Sequence, residues 1–320
     1  MRDLQTERSS PSMPTPGTTH QHPRNPGPPD DPSMSSPADQ LHEQVFGHGH
    51  LTEISSGVRS LRTDLREIWA YRDLLALLVR RDISVRYKQS AIGIAWAVVQ
   101  PVVLMTIFAI VFGRFAKLPS EGSPYTVFTL CALLPWLYFA KALGGTSDSI
   151  VGASNLVTKV YFPRLIIPIS KTVAGLVDFA IAFGILAVML AWYRIVPGAA
   201  ILLLPVFIAM TMLTAFAIGL WLTALNVKYR DIGLMVPFLT QIWMYASPIA
   251  YSTTLVPEKW RWIYSLNPIV GVAEGFRWAV LGKAPPALGP MLLSLAIVLV
   301  LLASGLMYFR RTERTFADII

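Results

Sequence analysis

The sequence predicts an all-α membrane protein. It has six transmembrane helices, an N-terminal amphipathic interface helix, and an outer re-entrant helical hairpin between spans five and six. Three observations carry this. Of 320 residues, 53% are hydrophobic and only 14% charged, with a mean hydropathy of +0.51. A soluble domain carries roughly 25% charge and about 45–50% apolar residues. The apolar residues also fall into runs of 18 or more, the length of a membrane span. A basic segment of helical periodicity stands directly before the first run.

The chain divides into four parts. Residues 1–57 are Pro-rich and mixed with Ser, Thr, Asp and Gly. They keep no apolar period, so they form a disordered tail, placed in the cytoplasm, that cannot offset its ordering entropy. The tail has no h-region and is not a signal peptide. His48 and His50 flank Gly49, but two histidines in a floppy segment make a poor metal site, so no metal is expected.

Residues 58–90 form the amphipathic interface and coupling region. Leu61, Leu65, Ile68, Trp69, Leu74, Leu75, Leu77 and Leu78 recur at helical spacing. Arginines 59, 62, 66, 72, 80, 81 and 86 and Lys88 fill the other positions. Such a helix lies in the membrane interface.

Residues 91–314 form the six-helix transmembrane domain. The spans fall at about 91–112, 125–143, 165–193, 199–225, 232–251 and 288–309. The fifth is the least clean, because Pro237, Gln241 and Pro248 interrupt it. Neighbouring helices make proline tolerable there. The stretch after Asn267-Pro268 is apolar for about a dozen residues, too short to cross about 30 Å of hydrocarbon. That length fits a re-entrant hairpin, with Trp260, Trp262, Asn267, Pro268, Glu274 and Arg277 in the segment. Charge at that depth must face protein or water. Residues 315–320 are a short cytoplasmic tail.

Orientation follows from the basic residues. The bias places both termini in the cytoplasm, chiefly through the N-terminal stretch. The net charge of +8 and pI of 9.7 are read as this anchoring and not as nucleic-acid binding.

The chemistry is read mostly by exclusion. One cysteine, Cys131, allows neither a disulfide framework nor a cysteine zinc site. All five histidines lie in the first 50 residues, away from the apolar body. There is no GxxxxGK[ST] loop, HExxH, CxxC or GxSxG, so no catalytic residue is assigned and no ATP or Mg²⁺ site is expected on this chain. Asp178 is the clearest acid within a span. It stands two turns from Lys171 on one helix face, and one isolated acid makes a packing contact rather than a proton relay.

Aromatic residues are abundant near the spans. An interfacial belt accounts for those at span ends. Aromatics in or near the spans, with Gln241, are candidates to line a channel in which sugar rings stack: Trp96, Trp136, Tyr138, Gln241, Trp243, Tyr245 and Tyr251, of which Trp243 and Tyr245 lie mid-span beside Gln241 and Ser247. Gln241, Tyr245 and Pro248 share one helix face at i, i+4 and i+7.

Four blocks, in register from about residue 61 to 314, carry a resemblance. The first is Arg80-Arg81-Asp82-Ile83-Ser84-Val85-Arg86-Tyr87-Lys88-Gln89-Ser90, then Ile92-Gly93, Trp96-Ala97 and Gln100-Pro101. The second is Leu134-Pro135-Trp136 with Phe139, then the run from Asn155 to Arg164 and Pro168. The third runs from Asn226 to Ile232. The last is Tyr245, Ser247-Pro248-Ile249 and Tyr251, then Leu266-Asn267-Pro268. Together they resemble the membrane subunits of type-2 ABC exporters for cell-surface polysaccharides, the O-antigen, capsule and teichoic-acid export family. The Pro-rich tail lies outside that family's usual pattern.

The resemblance implies a homodimer in the bacterial plasma membrane, with two copies of a separate ATPase that bind ATP and Mg²⁺. It implies that the amphipathic helix lies flat and gates a polyprenyl-diphosphate-linked polysaccharide. It nominates Asp82, Arg86, Tyr87, Asn155, Lys159, Phe162, Arg230 and Asp231 as contacts that couple to the ATPase, with the coupling helix in loop 146–164. It makes segment 257–283 an outer closure of the pore. A diphosphate also needs cations at its entrance, which Arg80, Arg81, Arg86 and Lys88 supply; positive-inside anchoring explains the same four, and the readings are compatible. The alternative is a permease of the same fold for a drug or lipid. A proton-coupled carrier or membrane enzyme would carry several acids or histidines in its spans, and this body does not.

Overall fold

The computed structural model describes residues 61–88, 93–282, 285–314 and 316. The Pro-rich tail with His48 and His50, and most of 315–320, lie outside the described residues. No strand occurs among those described.

The elements follow the hydropathy closely. The basic segment is two helices, α1 (Leu61–Ala70) and α2 (Arg72–Lys88). Helical hydrogen bonds run through the break, from Tyr71 N to Glu67 O and from Leu75 N to Tyr71 O. Next come α3 (Gly93–Phe108), wound on as a π-helix over Ala109–Phe115, and α4 (Tyr125–Ser147). A short α5 (Ser154–Lys159) sits in the following loop. Then come α6 (Ile166–Trp192), α7 (Leu204–Lys228), α8 (Asp231–Tyr245), α9 (Glu258–Tyr264), α10 (Pro268–Leu281) and α11 (Leu288–Glu313).

Among the described residues, five helices are long and apolar enough to cross a membrane: Ala95–Phe115, Tyr125–Ser147, Ile166–Trp192, Ala199–Lys228 and Leu288–Glu313. This is a multi-pass membrane protein. The fifth expected span differs. Its helix, α8, has only 15 residues, about 22 Å of rise. The chain turns after Tyr245 through Ser247-Pro248, because proline offers no N–H to continue the ladder.

The second span is the hub. Of its most apolar stretch 78% is buried, against 17% for the first span. It packs on α6, α7, α8 and α10. Small residues let the helices close up: a Cβ on Gly219 of α7 would stand 2.5 Å from Thr146, and one on Gly275 of α10 would stand 2.1 Å from the Phe207 ring. Thr223 Oγ1 donates to Thr146 O at 2.6 Å across the same seam.

The bundle has two distinct ends. The end that holds loop 148–164 carries a smaller core of Leu78, Phe162, Ile166, Phe309 and Phe316. There the Arg164 guanidinium donates to the last-turn carbonyl of Glu313. The other end holds α9 and α10.

Candidate functional site

The most charged cluster on the bundle joins α2 to the second and third spans. Asp82 and Arg86 are one turn apart on α2, so both project toward the same neighbour. Asp82 is almost covered, with 7% of its side chain exposed. It accepts from Lys171 Nζ of α6 at 3.0 Å and from Arg81 Nη2 at 3.0 Å, with Ser170 Oγ at 3.3 Å. One turn on, Arg86 and Tyr87 both reach the Asp178 carboxylate in the middle of α6. Lys141 of α4 donates to the same carboxylate at 2.7 Å.

These contacts advance together along α2 and α6. The helix therefore packs beside the first half of the third span. Asp82, Arg86 and Tyr87 each contact residues of the third span. Lys171 pairs with Asp82, not with Asp178 two turns along its own helix. Asp178 makes a packing contact as expected, but with residues of two other elements. Burial and the bond to Asp178 push the Tyr87 hydroxyl up to about 12.

Four cations, Arg81, Arg86, Lys141 and Lys171, face two carboxylates in this cluster. Each cation keeps part of its side chain exposed, so the site is net positive and reachable. Its chemistry suits a multivalent anion bound by charge-assisted hydrogen bonds. Arg80 and Lys88 are exposed on the outward side of α2. The sequence reading did not single out Lys141; its signal was a lone cation inside an otherwise uncharged span.

Among the coupling candidates, Asn155 and Lys159 are exposed on α5, and Arg230 and Asp231 are exposed where α8 begins. Phe162 is buried in the small core at that end, so it supports the loop from within. Beside them Asn226 of α7, 3% exposed, donates to Ser147 O at 3.2 Å and to Asp148 Oδ1 at 2.9 Å. Burial raises the Asp148 carboxyl, and the Asn226 amide opposes that shift.

The aromatic candidates split. Trp136 and Tyr138 are packed in the core: Trp136 lies against Phe139, and Tyr138 donates to Thr172 O at 3.0 Å. They line no open face of the chain. Trp96, Gln241 and Tyr245 are exposed, while Pro248 is buried past the end of α8, so the expected three-residue face reduces to two. Trp243 packs edge-on against Phe139 and, with Trp260, Tyr264 and Asn267, lines an apolar pocket of about 390 Å³ at the hairpin end. The Tyr251 and Tyr264 hydroxyls are 2.8 Å apart.

In the hairpin, Trp260 and Trp262 are exposed and Asn267 caps α10 by accepting from Ile269 N. Arg277 is fully enclosed. Its guanidinium donates to Ile249 O, Tyr251 O and Phe128 O, and lies 3.7 Å over the Phe128 ring. Glu274 accepts from Thr253. Here the buried charge faces protein, as expected.

Known proteins resemble this chain in sequence. The chain is 29% identical over 258 residues, 80% of its length and 98% of the relative's, to the O-antigen export system permease protein RfbA of Myxococcus xanthus. It is 26% identical over 251 residues, 78% of this chain and 95% of the relative, to a protein of the same name from Klebsiella pneumoniae. It is 29% identical over 200 residues, 58% of this chain and 75% of the relative, to the inner membrane transport permease YadH of Escherichia coli. Residues 73–281, from the first turn of α2 to the end of α10, match the ABC-2 type transporter family. By that match the chain belongs to the ABC-2 type transporter family.

Proposed function

We propose that this chain is the membrane subunit of an ATP-driven exporter that moves a polyprenyl-diphosphate-linked polysaccharide out of the cytoplasm. It works as a homodimer in the plasma membrane, with two copies of a separate ATPase that bind ATP and Mg²⁺. The carrying observation is the net-positive cluster of Arg81, Arg86, Lys141 and Lys171, whose four cations share only two carboxylates and leave a charge excess for a diphosphate. The names of the RfbA relatives point to the same substrate class. A drug or lipid permease of the same fold has no observation of its own in its favour.

A sixth crossing is supported by where segment 231–250 begins and ends. Near its start, Gly233 N donates to Asn226, beside Asp148 at the loop end of the second span. At its finish, Tyr125 donates to Ala250 O at that span's opposite end. The segment thus keeps pace with a 23-residue helix, about 34 Å. Six crossings put both termini on the cytoplasmic side with loop 148–164. The hairpin of α9 and α10 then lies outside and dips back into the membrane. A polar channel between two copies is supported by two exposed pairs, Trp96 with Gln100 on α3 and Gln241 with Tyr245 on α8. An amide facing lipid costs free energy, so these faces meet water or protein.

The test is ATPase activity of the complex reconstituted with its partner. A polyprenyl-diphosphate glycan should stimulate it. Lys141→Gln should raise the half-stimulating concentration about tenfold, or ~1.4 kcal/mol. Absence of any bound ATPase, or of stimulation by the glycan, overturns the proposal.

A further inference from the structure

We infer that Asn226 is the joint through which loop 148–164 moves α8. The inference rests on the reading that this loop receives the ATPase and that α8 faces the channel.

One side-chain amide connects three elements. Its Nδ2 holds Ser147 O and Asp148 Oδ1 at the end of the second span, and its Oδ1 accepts from Gly233 N at 3.0 Å. Gly233 is the third residue of α8, and the first four N–H groups of a helix have no partner within it. The residue before the helix, Arg230, makes no side-chain capping bond. The cap comes instead from a residue of α7, buried and already tied to the loop.

The other arm continues into that loop. Gly152 N donates to Asp148 O at 2.9 Å, which starts the turn Val151–Ala153 that leads into α5. The path runs from α5 along the backbone of the Val151–Ala153 turn to Asp148, then by hydrogen bonds through Asn226 and Gly233 to α8. The joint is also tight. A Cβ on Gly233 would stand 2.9 Å from Asp148 Oδ1 and 3.3 Å from Asn226. A displacement of Asp148 therefore cannot be absorbed by slack at this point.

Asn226→Asp separates the two arms. It keeps an acceptor for Gly233 N, removes both donors, and sets a second carboxylate against Asp148. The chain's one cysteine is buried, so introduced cysteines report without background. In the full complex with the partner ATPase, Tyr161→Cys reports the loop and Gln241→Cys reports α8. Each is read as a maleimide labelling rate with and without Mg-ATP and vanadate.

With Asn226 intact, both rates should change several-fold on nucleotide trapping. With Asn226→Asp, the loop rate should still change and the α8 rate should not. The exchange Asp148→Asn with Asn226→Asp, which restores a donor between the two side chains, should recover the α8 response. Should Asn226→Asp fail to accumulate, Asp148→Ala should weaken the α8 response, since it removes the bond to the Asp148 side chain and leaves the cap on Gly233 and the bond to Ser147 O. An α8 response that survives both variants undiminished overturns the joint alone. A loop response with no α8 response when Asn226 is intact also overturns the joint but spares the exporter reading. No response at either position overturns both.

Discussion

Asp178 is the residue on which the α2 contact turns. It gathers Arg86, Tyr87 and Lys141 from two elements around one carboxylate. Asp178→Asn should leave two cations facing each other with no anion between them. Removing one partner of a fully buried pair costs ~3–5 kcal/mol, and the partial exposure of the two cations reduces this to about 2 kcal/mol. Unfolding of the purified protein in detergent should show that loss. Trypsin should also cut faster at Arg80, Arg81 and Lys88 as α2 leaves the third span. Unchanged cleavage there would mean that the apolar contact of Leu78 holds α2 without the ion pairs. The sequence showed Asp178 as an isolated acid because its partners lie 37 and 91–92 positions away. Separation along the chain hides a contact that only packing creates.

At the scale of elements, α10 was the most legible from its ends. Asn267 at the N-cap, Pro268 at N1 and Gly282 in the left-handed region at the C-terminus are the residues a helix needs to start and stop. Its 14 residues give about 21 Å, short of a crossing. Its fit against α7 was not legible. Gly275→Ala should force the Phe207 ring aside and destabilise the protein by about 1–3 kcal/mol through overpacking. Gly275→Ala combined with Phe207→Leu should recover part of that loss in the same unfolding measurement, since the smaller side chain frees the space. α8 went the other way. Its apolar pattern suggested one continuous span, but Pro248 ended the helix early.

For the whole molecule, the decisive quantity is the number of crossings. In intact cells, a cysteine at Thr254 should react with a membrane-impermeant maleimide, and one at Tyr161 should react only after permeabilisation. Both positions are exposed on the chain, so access depends on side alone. Thr254 reacting only after permeabilisation would mean that segment 232–251 turns back and five spans cross. Composition and the length of the apolar runs determined by themselves that the chain is a helical membrane protein, and where its long helices lie. Hydrophobic length is a local property, and each span carries its own signal. The order and spacing of four residue blocks carried the family. Tertiary structure alone decided that α2 lies along the third span, that Lys141 and Lys171 share its carboxylates, that Trp136 and Tyr138 are core, and that Asn226 ties the loop to α8. Each of these is a contact between residues distant in sequence, and hydropathy holds no record of which helix face meets which.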